Sequence, residues 1–216
     1  MMARLGIYTQ DLRFYYRAIE EINLWKIPYV SLDSSGDVSS DIIAVLSEEK
    51  DRTIFHTQLK GKNPRSLIRQ ALPYFINKNC FHEVIIGIDP GPKPGMAILA
   101  DKILMETEEM PDIHSILDYV KCAINDYKSD SKLIRLGDGD APNRERIKKL
   151  LSFIDIEINI VDEYGTSMPH QTHDNMISAA RIADIERFNR FGRNKIYGTK
   201  RSSQIEKEFF TYRNIV

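Results

Sequence analysis

The sequence predicts two α/β units in tandem: a small, mainly parallel one over residues 1–80, and a mixed five-stranded sheet with its helices over 81–190. A basic tail over 191–216 follows. Three observations carry this. Short β-rich runs alternate with helical stretches through the first unit. Three β runs then follow one another too closely for anything but antiparallel neighbours, since a parallel return needs about a dozen residues or more. After them strand and helix alternate again, as parallel crossovers do.

Residues 4–8 read as a first strand and 10–25 as a helix, with an apolar stripe through Leu12, Tyr15 or Tyr16, Ile19, Ile22 and Trp25. Pro28 stops that helix, and 29–32 returns as a strand. Ser34-Ser35-Gly36-Asp37 is a turn. A buried strand over 42–46, a fourth strand over 53–56 and a helix over 66–76 complete the unit. It contains neither a GxGxxG nor a Walker loop, so this Rossmann-like unit is assigned no nucleotide. Residues 77–80 are the expected boundary.

The second unit opens with Glu-Val-Ile-Ile-Gly-Ile over 83–88, apolar on both faces and therefore central to its sheet. Asp89-Pro90-Gly91-Pro92-Lys93-Pro94-Gly95 is a turn dense in Gly and Pro. Strands over 96–100 and 103–106 are joined by a tight Asp101-Lys102 turn. A helix over 113–127 carries Ile116, Val120, Ile124 and Tyr127 on one stripe. Next come a strand over 133–136, a helix over 144–153, a strand over 156–161 and a last helix over 175–188. Three meandering strands followed by parallel crossovers is the order of the ribonuclease H-like fold.

Composition excludes several classes. Apolar residues are 42% and charged residues 28% of 216, and 11 Gly with 9 Pro is below average usage, so long disordered stretches are not expected. No apolar run exceeds five residues, whereas a membrane-spanning helix needs ~18. The N-terminus lacks a secretory apolar core, and a cytoplasmic location is expected. Cys80 and Cys122 have no paired spacing, so neither a disulfide framework nor a cysteine zinc site is expected. The net charge of −1 conceals a gradient: +2 over 1–80, −8 over 81–180 and +5 over 181–216. An acidic middle beside a basic end suits a cation-binding carboxylate cluster with a polyanion-binding arm; a solvated acidic surface beside a basic helix produces the same balance.

Carboxylates stand at the strand ends. The first strand of the second unit ends in Asp89, the fourth in Gly137-Asp138-Gly139-Asp140 and the fifth in Asp162-Glu163, while Asp174 opens the last helix. Ligands of open α/β sheets gather at the carboxyl ends of the strands. Clustered carboxylates repel unless a cation neutralises them, and oxygen donors suit Mg²⁺ or Mn²⁺. Such ions activate water and stabilise the leaving oxygen in phosphodiester cleavage. Each residue also has a local explanation. Asp89 before Pro-Gly suits an Asx-turn, Asp138 and Asp140 suit a loop or helix cap, Glu163 suits a surface strand end, and Asp174 suits a helix N-cap.

Two resemblances sharpen the choice. Ile85-Ile86-Gly87-Ile88-Asp89-Pro90-Gly91, followed by Gly95-Met96-Ala97-Ile98, resembles the first-strand motif of RuvC-type Holliday-junction resolvases. Val161-Asp162-Glu163-Tyr164-Gly165-Thr166-Ser167 and His173-Asp174-Asn175-Met176-Ile177-Ser178-Ala179-Ala180 resemble the later motifs of YqgF-type RuvC-like nucleases. The likeness covers about residues 83–187, and the arrangement is similar to an archaeal group of RuvC-like proteins. It implies Asp89, Glu163 and Asp174 as catalytic metal ligands for Mg²⁺ or Mn²⁺, with Asp138 where the resolvases place a glutamate. They also carry two acids one turn apart in the last helix, where this chain offers His170 and His173 before Asp174.

His170 and His173 lack a third nitrogen or sulfur ligand, so zinc is not expected; either they cap a helix or one serves as a proton donor at the rim. Arg187, Arg190, Arg193, Lys195, Lys200 and Arg201, interleaved with Phe188, Phe191 and Tyr197, suit either phosphate contact and base stacking or a solvated helix. The expected function is a metal-dependent nuclease or phosphodiesterase acting on branched DNA or structured RNA. A non-catalytic nucleic-acid-binding scaffold with the same fold is the alternative, and monomer and homodimer both stay open. An ATP site of the actin and sugar-kinase kind, suggested by Asp89, Gly91 and Gly95, requires two ribonuclease H-like lobes, and the chain has room for one.

Overall fold

The computed structural model describes residues 2–34, 38–162, 174–186 and 209–216. The chain divides into two units. The first comprises Met1–Cys80 together with Asp126–Lys128 and Tyr212–Val216; the second comprises Phe81–Asn125 and Ser129–Thr211.

In the first unit β1 (Arg4–Ile7), β2 (Tyr29–Ser31), β3 (Ile42–Ser47) and β4 (Gln58–Lys60) form a fully parallel sheet in the order β2-β1-β3-β4. Helix α1 (Leu12–Trp25) starts where Asp11 accepts from the amides of Arg13 and Phe14, and it ends at Lys26 in the left-handed region, φ 55°. Its buried face is Phe14, Ala18, Ile22 and Trp25. Ile22 and Trp25 of the expected stripe lie on this face, whereas Leu12 and Tyr16 point to solvent, 69% and 64% exposed. Ala18, at the centre of the buried face, is too small to stand out in a pattern of large apolar residues.

The fourth strand also lies later than expected. Residues 53–56 cross as a loop because their side chains are used sideways. The Thr53 hydroxyl donates to the Tyr8 hydroxyl at 2.7 Å, and the Phe55 and Tyr8 rings stand 5.2 Å apart. Helix α2 (Pro64–Ala71) opens on an Asn63 cap and tightens into a 3₁₀ turn over Leu72–Ile76, where Pro73 cannot donate an α-helical hydrogen bond. The unit's later segments are tied in by polar contacts. Arg69 Nη1 donates to Asp126 Oδ2 at 3.0 Å and the Ser66 hydroxyl to Asp126 Oδ1 at 2.5 Å. The Tyr212 ring lies 4.9 Å from Trp25, and its hydroxyl donates to the Trp25 carbonyl at 3.0 Å.

The second unit has the ribonuclease H-like fold. Its strands are β5 (Phe81–Asp89), β6 (Gly95–Ala100), β7 (Ile103–Glu109), β8 (Ser129–Gly137) and β9 (Glu157–Val161), ordered β7-β6-β5-β8-β9. The first three run antiparallel; β8 and β9 run parallel to β5. The β6–β7 turn places Asp101 and Lys102 at φ 48° and 68°, and Asp101 Oδ1 accepts from the amides of His82 and Glu83. The helices are α3 (Ser115–Asp126), α4 (Ala141–Leu151) and α5 (Asn175–Ala183). The last helix was expected to reach 188; residues 187–208 lie outside the described part.

Alternation along β5 sends Ile85, Gly87 and Asp89 to one face of the sheet and Val84, Ile86 and Ile88 to the other. Helix α5 covers the first face. Ile85, Ala97 and Leu99 form a buried cluster there with Ala179, Ala180, Ala183, Leu104 and Phe209. The helix comes very close: a Cβ on Gly87 would lie 2.2 Å from the Ala179 carbonyl oxygen. The opposite face is filled by larger side chains, among them Ile86, Ile88, Met96, Ile98, Ile134 and Leu136, all buried. One face is thus built for contact with helix backbone and the other for bulk. Among the described residues no helix is long and apolar enough to cross a membrane.

Candidate functional site

Strand register sets the site. Asp89, the last residue of β5, is the Cα partner of Gly95 on β6, and Gly95 is the partner of Glu109 on β7. On the other side Ile88 pairs with Leu136, which brings Gly137 to the level of Asp89, and Gly137 pairs with Val161. The carboxyl edge of β5 therefore carries a row reading Glu109, Gly95, Asp89, Gly137, Val161. Paired residues share a face, so this row lies on the side covered by α5.

The first turn of α5 lands on the gap left by Gly95. A Cβ there would stand 1.8 Å from the Asn175 carbonyl oxygen. Asn175 Nδ2 donates to the Lys93 carbonyl at 2.7 Å and lies 3.4 Å from Glu109 Oε2, tying the helix start to the β5–β6 turn and to the end of β7. Asp174, one residue earlier, caps the helix: its Oδ1 accepts from the amides of Met176 at 3.1 Å and Ile177 at 3.3 Å. The residue after Asp174 thus touches the strand partner of Asp89. Both aspartates are half-buried.

The far end of α5 is held as firmly. Arg135, buried on β8 and paired in register with Gly87, donates from Nη1 to the Ala183 carbonyl at 2.7 Å and from Nη2 to Glu186. A guanidinium at the last carbonyls satisfies acceptors the helix leaves open and suits the negative end of its dipole.

The other expected residues divide. Asp138 follows β8 and is half-buried; its carbonyl accepts from Arg144 Nη1 at 3.3 Å. Asp140 is the cap of α4, taking the Asn143 amide on Oδ1 and Asn143 Nδ2 on Oδ2. Asp162 is exposed at the end of β9. Glu163, His170 and His173 lie outside the described residues, as do the basic and aromatic positions Arg187 to Arg201. Among the described residues, no three His, Cys, Asp or Glu side chains stand together as a metal site requires. Asp89, Asp138 and Asp174 therefore do not make a complete site by themselves. As hard oxygen donors, Asp89 and Asp174 fit Mg²⁺ or Mn²⁺. Sequence reasoning passed over Arg135 and read Gly87, Gly95 and Asn175 only as positions within motifs. The available signal was a glycine inside a strand, which marks close backbone approach, together with an alanine-rich helix to make that approach.

A family model described as a response regulator receiver-like domain matches residues 4–75, within the first unit. No curated protein matches the chain. Matching solved structures include the nuclease domain of the large terminase subunit gp2 of bacterial virus Sf6, at 20% identity over 46% of this chain and 45% of that one, TM-score 0.30. Marinitoga piezophila Argonaute in complex with 5′ OH guide RNA matches at 10% identity over 74% of this chain and 39% of its own, TM-score 0.28. The same Argonaute with guide RNA and target DNA matches at 11% identity and the same coverage, TM-score 0.27. The chain spans less than half the length of each of these chains.

Proposed function

We propose that the chain is a metal-dependent nuclease or phosphodiesterase acting on branched DNA or structured RNA, with Asp89, Asp174 and Glu163 as ligands of Mg²⁺ or Mn²⁺ and Asp138 beside them. The observation that carries this reading is the contact of Asn175 with Gly95, which sets the start of α5 beside the end of β5. The motif likeness to RuvC-type and YqgF-type nucleases supports the same ligand set. Asp174 capping the helix is compatible with ligation, because both amides use Oδ1 and a carboxylate has about four lone-pair sites. When bound, the cations would supply an activated water and charge stabilisation at the leaving oxygen. The protein's part is to hold its carboxylates on rigid element ends and to orient the phosphate.

The test is cleavage of branched-DNA and structured-RNA panels in Mg²⁺ and in Mn²⁺, with EDTA as control. Asp89→Asn, Glu163→Gln and Asp174→Asn are each expected to lose orders of magnitude in rate while still binding nucleic acid. A second reading, a non-catalytic nucleic-acid-binding scaffold, is favoured by Gly137-Asp138-Gly139-Asp140 standing where the resolvases place a glutamate and by the added N-terminal unit. Wild-type protein that binds these substrates but cleaves none in either metal would decide for it.

A further inference from the structure

We propose that Lys93 is the residue that holds a phosphate of the nucleic-acid backbone beside Asp89 and Asp174; the proposal rests on the nuclease reading above. Lys93 lies in the turn that leaves β5 at Asp89 and enters β6 at Gly95. Its carbonyl takes the Asn175 side-chain amide at 2.7 Å, so its backbone is fastened to the residue that follows Asp174. Prolines on both sides, exposed Pro92 and buried Pro94, fix φ before and after it, and the Pro94 carbonyl accepts from the Met110 amide at 2.8 Å. A turn restrained this way loses little entropy when a ligand arrives.

Its charge is available. Arg135 is committed to the Ala183 carbonyl and Glu186, and Arg144 to the Asp138 carbonyl and Glu145. Lys93 is exposed and has no ion pair among the described residues, although Asp89, Glu109 and Asp174 stand on the neighbouring positions of the fold. A compact ammonium on a flexible stem suits a single phosphate oxygen. Placed at the rim of a carboxylate site, it offsets the repulsion between those carboxylates and an incoming phosphodiester.

The test titrates salt against binding of a labelled four-way DNA junction and a labelled hairpin RNA, with cleavage blocked by EDTA. Each phosphate contact contributes about 0.9 to the slope of log K against log salt for duplex DNA and about 0.7 for single strands. Lys93→Gln is expected to flatten the slope by about that one contact, Lys93→Arg to keep it, and both to melt with the wild type. A wild-type slope in Lys93→Gln overturns the proposal, as does a lowered melting temperature in both variants, which would mark the turn as structural. If the slope shifts as expected but the wild type cleaves nothing in Mg²⁺ or Mn²⁺, the contact stands and the nuclease reading falls. Absence of any binding by the wild type at low salt overturns both.

Discussion

The carboxyl ends of the two sheets use aspartate in opposite ways. In the parallel sheet, Asp51 is buried and takes the Gln10 amide on one oxygen, at 3.2 Å, and the Glu48 amide on the other, at 2.9 Å, joining the loops that follow β1 and β3. Asp11 nearby caps α1 through a single oxygen. In the mixed sheet, glycine at positions 87 and 95 lets α5 lie directly on the strands, and the residue after its cap Asp174 meets Gly95, the strand partner of Asp89. Asp11 and Asp174 make the same two local hydrogen bonds. What separates them is the glycine-backed strand behind the second. An acid at a strand end or a helix start is therefore weak evidence of function until the neighbouring backbone is known.

Breaking the close approach should have the largest effect. Gly95→Ala drives a methyl to within 1.8 Å of backbone oxygen, which no side-chain rotation relieves. It should destabilise the second unit by about 3 kcal/mol or more, at or beyond the upper end of ordinary overpacking. Gly6→Ala is the control in the first unit: its methyl would meet Leu32 Cδ1 at 2.9 Å, a movable side-chain end, so ~1 kcal/mol is expected. Equal losses in urea denaturation would mean that α5 does not rest on β6 as described.

Next in size is the contrast between Asp51 and Asp89. Asp51→Ala strands two backbone amides and should cost ~2 kcal/mol. Asp89→Asn removes one of the carboxylates proposed to share a cation, so without metal its melting temperature should match or exceed the wild type, while Mn²⁺ binding by calorimetry weakens. A severe loss of stability in metal-free Asp89→Asn would assign Asp89 to turn formation. Asp174 sharpens the point at about 1 kcal/mol. Asp174→Ala should lose the cap, whereas Asp174→Asn, an equally good cap, should keep stability and lose metal affinity. Parallel losses in both variants would show that capping is all Asp174 does.

The smallest effect is a pH dependence confined to the first unit. The Ser39 hydroxyl, and then Arg4 at 2.6 Å, hold the Asp41 carboxyl below its ordinary range. A carboxyl depressed in the folded state contributes stability above its unfolded pKa and loses it as pH falls through the folded value. Asp41→Asn should therefore melt slightly below the wild type near neutrality, with the difference disappearing as acid carries the pH below the depressed folded value. A gap that persists in acid would show that Asp41 acts by packing.

Much of this was legible. Alternating apolar runs, the tight Asp101-Lys102 turn and the close spacing of three β runs were enough to order the mixed sheet, because each is a local pattern. Errors arose where tertiary contacts overruled local preference. Thr53, Ile54 and Phe55 have strand-forming side chains, yet Thr53 and Phe55 turn toward Tyr8 and Ile54 is 80% exposed. Asp138 and Asp140 look alike in sequence, and only the fold makes Asp140 a cap with both oxygens used. The meeting of Asn175 with Gly95 spans eighty residues of chain, and the strand glycine that permits it does not say which helix comes to rest there.

The first unit is assembled from three separated stretches of chain, and this bears on how it is made. As the polypeptide emerges during synthesis, residues 1–80 arrive with Arg69 lacking Asp126 and Trp25 lacking Tyr212. A buried guanidinium without its carboxylate is strongly unfavourable, so the nascent N-terminal unit stays unfinished until α3 has been translated. Its final piece, Tyr212, is translated more than eighty residues after Asp126. A polypeptide that stops short of residue 212 would therefore leave Trp25, in the N-terminal unit, without its aromatic partner.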